Sequence, residues 1–442
     1  MTIRMDEGAA ELLDTLHRAG YAAYVVGGCV RDSLLGLTPH DWDLCTSALP
    51  QQGMELFGAE KCIPTGLQHG TVTVKQGGGL YEITTFRTEG AYTDGRHPDE
   101  VHFVPDVRED LARRDFTINA MAYNAKEGLI DPFGGQADLQ SGILRAVGVP
   151  RQRFTEDALR ILRLYRFAAR FGFAIDPPTA QAAQELCAHL DCVSVERIEE
   201  ELAKLLSAPA PAAYLDEKIL GVVLPELSPE VLAAAKPVVD ACPAGERALP
   251  VRLAALLLSL GEDGTRRTLR RLRCSNACIE ETAVLVREVV SGVPGAFSSD
   301  TNRAIPSPAL LPAATGSHPS GRSSEKLPAR PPVSLNIYTR KLLGQYGLKT
   351  VQRLAALGTA LQPEHAADFA ALSELAEQLD ADGVCCRVSQ LAVNGRDLMA
   401  AGVPAGPGIR KVLEALLDGV IREEYPNERQ ALLAAVQQLA AS

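Results

Sequence analysis

The sequence predicts an α+β fold: a small mixed sheet with helices in the N-terminal third, then an all-helical remainder. Three observations carry that prediction. Strand-like and helical segments mix through about residue 148. Helical periodicity takes over from about residue 155 and holds to the C-terminus. The early segments are joined by glycine-rich punctuation, which suits strand-to-helix and strand-to-strand turns.

In chain order, residues 7–19 read as a short helix. YAAYVVGG is a strand that ends in two glycines, and CVRDSLLG continues it as a helix. DWDLCTS is strand-like. HGTVTVK and LYEITTF, separated by QGGG, form a hairpin. TEDALRILRLYRFAARFGF, PPTAQAAQELCAHL and SVERIEEELAKLLSA follow as helices with turn signals between them. Residues 293–333 are rich in Pro, Ser, Gly and Ala without periodicity, which predicts a disordered surface insertion. The expected organisation is a head over 1–150, a helical neck over 151–207 and a helical body over 208–292, then the insertion and a helical tail over 334–442.

A chain of 442 residues exceeds one ordinary domain, and 46% hydrophobic with 22% charged residues is a globular balance. No run of about 18 apolar residues suggests a membrane span, and the N-terminus lacks an apolar signal region, so the expectation is a cytoplasmic protein. Ten cysteines are scattered without a CxxC pair, which favours buried reduced thiols over zinc. The net charge of −11 opposes a nucleic-acid partner on average. Clustering reverses that inference. Seven arginines fall between Arg145 and Arg170, and five more stand at Arg266, Arg267, Arg270, Arg271 and Arg273. Such stripes serve RNA or form solvated helix faces.

The string GGCVRDSLLGLTPHDWDL concentrates the chemistry. Paired glycines allow a tight turn and let a phosphate approach the backbone. Arg31 follows in the first helical turn, where a guanidinium can hold a phosphate on two oxygens. Asp41 and Asp43, two apart in a predicted strand, point to one face and can serve a pair of Mg²⁺ ions. Each element alone is common; the full string is specific. Glu82 on the neighbouring strand is the candidate third carboxylate, to orient or deprotonate an attacking hydroxyl; the opposing reading is an exposed hairpin residue.

This string resembles the active-site signature of the DNA-polymerase-beta-like nucleotidyltransferases. More narrowly, the chain is similar to the bacterial branch that holds class II CCA-adding tRNA nucleotidyltransferases and poly(A) polymerases. The resemblance continues through PTGLQHGTVTV, EITTFR, YTDGRHPDEVHF, RRDFTINAMAYN, DPFGG and EDALRILRLYRF, covering about the first 205 residues. It implies a polymerase-beta-like head in which Gly28 and Arg31 meet the nucleotide phosphates, Asp41 and Asp43 bind Mg²⁺, and Arg114 contacts the nucleotide. For Asp115 and Asn119 two readings stand: ribose contact, or capping and turn hydrogen bonds.

Asp157 and Arg160 lie three apart on a predicted helix and share a face. Cytosine and adenine both present an amino donor beside a ring-nitrogen acceptor, and uracil and guanine reverse that pattern. One Asp–Arg pair therefore selects CTP and ATP together, a role the resemblance implies for these residues. Arg163 and Arg166 match further nucleotide-binding positions. The three-residue step turns Arg166 away from Asp157, toward RNA, a phosphate or an exposed basic face.

Residues 88–104, with no clear strand, resemble the loop that helps these enzymes pass from CTP to ATP, and the presence of Asp94 and Arg96 favours complete CCA addition. VRLAALLLSLGED lacks the His–Asp pair of the phosphohydrolase domain found in many relatives, so no such activity is expected. The segment from Val393 to Leu433 resembles a tail that grips the outer part of tRNA, with Arg410 replacing a commonly small residue. The implied reaction is metal-assisted nucleotidyl transfer from CTP and ATP to the tRNA 3′ end. The alternatives are a poly(A) polymerase, an enzyme adding only part of CCA, or an inactive RNA-binding protein.

Overall fold

The computed structural model describes residues 3–90, 100–290 and 333–439. Contacts divide the chain into two compact units. The first comprises Met1–Ala233 with Arg271–Arg273, and the second Ala234–Arg270 with Cys274–Ser442.

The first unit opens with helix α1 (Glu7–Arg18), whose N-terminal N–H groups are capped by the Asp6 carboxylate. Strand β1 (Ala23–Val26) is buried throughout, as its apolar run requires. It passes through Gly27 into α2 (Gly28–Leu34). Strand β2 (Leu44–Thr46) and helix α3 (Pro50–Phe57) follow, then strands β3 (Cys62–Gly66), β4 (Thr71–Gln76) and β5 (Gly79–Thr85). The predicted β4–β5 hairpin is present. Gly77 and Gly78 both have positive φ, the backbone a two-residue turn between twisted strands demands.

Strands β6 (Arg87–Glu89) and β7 (Val101–Phe103) pair antiparallel in a separate ribbon. The stretch 88–104 therefore contains two strands that its Gly and Pro content hid; Asp94 and Arg96 lie outside the described residues. After α4 (Val107–Ala112) come β8 (Ala122–Asn124) and β9 (Gly128–Ile130). The main sheet runs β3-β4-β5-β2-β1-β8-β9, with β2 and β5 parallel and the other pairs antiparallel. That is the mixed sheet of the expected fold.

Helices α5 (Gly135–Ser141), α6 (Pro150–Glu156), α7 (Leu159–Phe171), α8 (Pro177–Leu186), α9 (Val195–Leu206) and α10 (Glu217–Val223) continue this unit. The single helix expected from about residue 155 is broken. Asp157 is extended (φ −144°, ψ 104°), and its carboxylate accepts the Leu159 N–H at 3.0 Å. A short acidic side chain that can cap a new helix has interrupted the old one.

Helix α11 (Pro229–Ala241) leads on to α12 (Leu249–Leu257), α13 (Gly261–Arg271), α14 (Asn276–Val290), α15 (Val333–Tyr346), α16 (Leu348–Leu361) and α17 (Ala366–Ala381). In the second unit, α12, α14, α15, α16 and α17 pack on one another. Helices α18 (Gly395–Ala400), α19 (Gly408–Ile421) and α20 (Arg429–Leu439) close a separate core around Leu398, Leu416, Val420 and Leu432. Among the described residues no helix is long and apolar enough to cross a membrane. Eight of the ten cysteines are buried, whereas Cys278 is half-buried and Cys192 exposed.

Candidate active site

The site begins where β1 stops. Gly27 has φ 78° and ψ −122°, a conformation that side-chain-bearing residues avoid. A Cβ there would stand 2.8 Å from Nη1 of Arg114. One glycine thus permits both the strand-to-helix turn and the approach of Arg114. Arg31, in the first turn of α2, is buried rather than reaching outward. Its Nε donates to Asp32 at 2.8 Å, its Nη1 donates to Asn119, and its Nη2 would lie 3.5 Å from a Cβ at Gly28. Burial lowers its pKa, and Asp32 opposes that shift.

Asp41 and Asp43 precede β2 and are not part of it. The reason lies in the partner strand. Val26 donates its N–H to the Asp43 carbonyl at 3.0 Å, and one residue later β1 turns into α2, so the ladder ends. The expected strand face shared by Asp41 and Asp43 is therefore not formed, and it is Asp43 and Glu82 that the sheet brings together. Leu44 pairs with Ile83 in the parallel β2–β5 register, which sets Asp43 beside Glu82 on the opposite face. Both are exposed, as is Asp41, and no side-chain hydrogen bond or ion pair joins any of the three to a described residue. Asp43 keeps solvent access yet lies deep enough among protein atoms for burial to raise its pKa. Arg114 lowers it, while Glu82 and Asp41 raise it. Three like charges therefore gather with one cation nearby. Among the described residues no three acidic, His or Cys side chains close into a ready-made metal cage. A pair of carboxylates with open positions is nevertheless the arrangement Mg²⁺ uses when water and phosphate complete its shell.

Beside this face opens a cleft of about 250 Å³, lined by Arg114, Asp115, Asp157, Arg160, Arg163 and Arg197, among others. Asp157 lies at the α6–α7 break, not on a helix face, and still reaches the cleft beside Arg160. Arg197 of α9 holds its carboxylate, with Nη2–Oδ2 at 2.8 Å and Nη1–Oδ1 at 3.4 Å. Arg160 donates through Nη1 to Glu156 (2.8 Å) and the Arg153 carbonyl (3.3 Å), and through Nη2 to the Arg113 carbonyl (3.1 Å). Its Nε–H and one Nη2 hydrogen remain to meet a base.

Asp115 is buried and receives both Nε and Nη2 of Arg163, at 3.0 and 2.7 Å, and the Asn119 amide at 3.0 Å. Burial alone would raise its pKa; Arg163, Asn119 and Arg160 outweigh burial and hold it well below the usual carboxylate range. The turn-bonding reading of Asp115 and Asn119 is therefore present, as a chain running Arg163–Asp115–Asn119–Arg31. Arg166 is not on an exposed basic face. It is buried against Glu201 of α9.

The wider arginine stripe is paired as well. All seven arginines from Arg145 to Arg170 meet a carboxylate within ion-pair distance. In the second cluster, Arg266 pairs with Glu262 and Glu280, Arg271 with Glu226 and Arg273 with Glu196. Sequence reasoning missed Arg197 and Glu201. Their signal was legible: Glu201 falls among Ile198, Leu202 and Leu205 on the apolar face of α9, where a carboxylate needs a buried partner.

A family model of the poly(A) polymerase head domain matches residues 23–145. A model of the probable RNA and SrmB-binding site of polymerase A matches residues 172–230, and one of a putative second domain of tRNA nucleotidyltransferase matches 336–436. The CCA-adding enzyme of Lactiplantibacillus plantarum is 36% identical over 435 residues, 97% of this chain and 95% of that protein. That of Geobacillus stearothermophilus is 34% identical over 438 residues, 96% and 95% of the two chains. The chain belongs to the CCA-adding enzyme family. In structure it is similar to the Bacillus stearothermophilus CCA-adding enzyme in complex with CTP, with a TM-score of 0.78 and 31% identity over 99% of this chain and 98% of that one. Likeness to CCA-adding enzymes thus extends well past the first 205 residues, where motifs alone carried it.

Proposed function

We propose that this chain adds CCA to the 3′ end of tRNA from CTP and ATP, without a nucleic-acid template and with release of pyrophosphate. One observation supports this reading above the rest. Arg114 stands between two different kinds of site: the open carboxylates at Asp43 and the cleft holding Asp157 and Arg160. A nucleotide laid across Arg114 has its phosphates toward Gly28 and Arg31 and its base toward Asp157.

The tRNA 3′-hydroxyl oxygen forms a bond to the α-phosphorus, and the bond to the β-phosphate bridging oxygen breaks as pyrophosphate leaves. Glu82 orients the hydroxyl and accepts its proton. Arg31 and Arg114 balance the charge of the triphosphate. Mg²⁺ held by Asp41 and Asp43 would supply activation of the hydroxyl and stabilisation of the leaving group. At the base, the Asp157 carboxylate accepts the amino hydrogen that C and A share, and Arg160 donates to their ring nitrogen. Arg197 fixes the carboxylate so that it cannot rotate to suit uracil. Arg163 completes the nucleotide pocket from α7, whereas Arg166, matched to the same role by the sequence, is buried against Glu201 behind it and does not line the cleft.

The test is incubation with tRNA lacking its CCA end and each NTP in turn. CTP alone should add two residues, and ATP should add one only after them. Untemplated runs of A without CTP would indicate a poly(A) polymerase, and arrest after CC would indicate a partial enzyme. Failure to incorporate any NTP would leave only RNA binding.

A further inference from the structure

Phe167, near the middle of α7, is buried, and guanidinium groups crowd its ring. The Cζ atoms of Arg31, Arg163 and Arg166 stand 5.2, 5.3 and 3.8 Å from its centroid. Phe171, one turn later, stacks parallel to it at 6.1 Å and 4°. Phe171 in turn receives Arg31 at 4.9 Å and Arg170 at 5.1 Å. Phe116 meets Phe167 edge-on, 5.9 Å away at 79°. Two stacked rings thus serve four arginines.

The carboxylates paired with those four are Asp32, Asp115 and Glu201. Within ion-pair distance four cations share three anions, and Asp157 and Glu200 act on Arg163 and Arg166 only from farther away. The guanidiniums also repel one another: Arg170 acts against Arg31, and Arg163 against Arg166. A fourth carboxylate would relieve this, but it would cancel the net positive charge that a triphosphate needs. Aromatic faces stabilise cations through their quadrupole and carry no formal charge, so they hold arginines in place while leaving the patch net positive. The rings touch both ends of the site. Arg31 reaches toward Gly28, and Arg163 lines the cleft.

We propose that Phe167, assisted by Phe171, is a positioning residue for nucleotide binding, its ring faces fixing the guanidinium planes of Arg31 and Arg163 while preserving the charge that attracts the triphosphate. The proposal rests on the reading of Arg31 and Arg163 as nucleotide contacts. A phenylalanine that merely fills the core makes a different prediction, because then only ring volume matters.

The test exploits that difference. Mono-, di- and trifluorinated phenylalanines placed at position 167 by stop-codon suppression keep the ring's shape and progressively cancel its negative face. Steady-state kcat and KM are measured for CTP and ATP on tRNA lacking CCA, beside thermal unfolding midpoints. The expected result is a stepwise rise in KM for both nucleotides, reaching about tenfold, with kcat held within about twofold and the unfolding midpoint unmoved. Phe167→Leu should resemble the trifluorinated protein in KM. A flat KM through the fluorinated series overturns the proposal, whatever the leucine variant does. So does a change in CTP-over-UTP preference without a general rise in KM, since the phosphates are common to every NTP. Arg31→Ala is the companion measurement. If it leaves KM unchanged, the reading of the nucleotide contacts fails and this proposal with it. If it raises KM while fluorination does not, the role of the ring alone is lost.

Discussion

Asp41, Asp43 and Glu82 are exposed near one another with no hydrogen-bonded partner among the described residues, whereas Asp115, Asp157 and Glu201 each hold an arginine in or beside the cleft. The same functional group is used in opposite ways within one unit. The open carboxylates repel one another and are satisfied only by something that arrives from solution. The paired ones are satisfied internally and spend their charge on fixing guanidinium geometry. One region is therefore built for chemistry at the expense of stability, and the other for recognition supported by stability.

The largest expected effect falls on the open face. Asp41→Ala or Asp43→Ala should lower CCA incorporation by roughly a thousandfold or more, because charge stabilisation at the reacting phosphate is lost. Binding of tRNA should stay nearly intact, since neither carboxylate is suited to phosphate. Single-turnover incorporation at saturating Mg²⁺, set beside a tRNA binding isotherm, measures both. Turnover retained in either variant would remove the assignment.

The second prediction opposes the two kinds of carboxylate directly. The pKa of Asp43 is raised in the fold, so its ionised form costs stability at neutral pH, and that cost fades as pH falls through the folded value. Asp43→Asn should therefore be inactive and slightly more stable. Asp115 has its pKa depressed, so its contribution is fully present above the unfolded carboxylate range near pH 4 and is lost as pH falls toward the lower folded value. Asp115→Asn should cost roughly 3 kcal/mol at pH 7 by removing the nearer carboxylate of Arg163 and leaving it Glu201 at 3.6 Å, and less as the pH drops below about 4. Denaturant titrations of both variants from pH 3 to 8 decide the matter. Parallel pH profiles would erase the distinction between the two regions.

A smaller effect is expected at the base-reading pair. Asp157→Ala should lower kcat/KM for CTP and ATP by roughly ten- to a hundredfold and raise relative UTP incorporation. Arg197→Ala should shift discrimination in the same direction and less, because it loosens the carboxylate without removing it. Arg31→Ala, on the phosphate side, should lower all four nucleotides alike. The measurement is kcat/KM for the four NTPs in each variant. An unchanged CTP/UTP ratio in Asp157→Ala would show that the cleft does not read the base.

Much of this was legible from residue types and spacing. The glycine turn, the β4–β5 hairpin and the grouping of Asp43 with Glu82 follow from local rules, because a strand alternates its faces and a glycine pair allows a tight turn. What escaped was the consequence of distant pairing. DWDLCTS has strand character along its length, yet Asp41 and Asp43 stay outside β2 because β1 runs out of backbone to offer. EDALRILRLYRF is helical by pattern, yet Asp157 breaks it by capping the next helix and bonding to an arginine 40 residues away. Local spacing turns Arg166 toward RNA, a phosphate or an exposed basic face, because its buried partner, Glu201, lies on another helix and leaves no mark on that spacing.

The smallest prediction uses the back of the sheet as a control for the front. Val72, Val74, Ile83 and Thr85 alternate with the active-site face and, with Leu16 and helix α3, line a partly open pocket of about 10 Å³. Gly53 lines that pocket from the interior of α3, outside the positive-φ region, and a Cβ built there meets nothing within 4 Å. Glycine inside a helix forfeits backbone entropy on folding, so Gly53→Ala should stabilise the protein by roughly 0.5–1 kcal/mol. Because α3 packs on the sheet face opposite Asp43 and Glu82, kcat and KM for CTP and ATP should stay within about twofold of the parent. Denaturant midpoint and steady-state kinetics of the one variant test both halves. A stabilised protein with altered kinetics would mean that packing behind the sheet sets the spacing of the carboxylates in front, and the division between a face built for chemistry and a scaffold built for stability would have to be redrawn at β5.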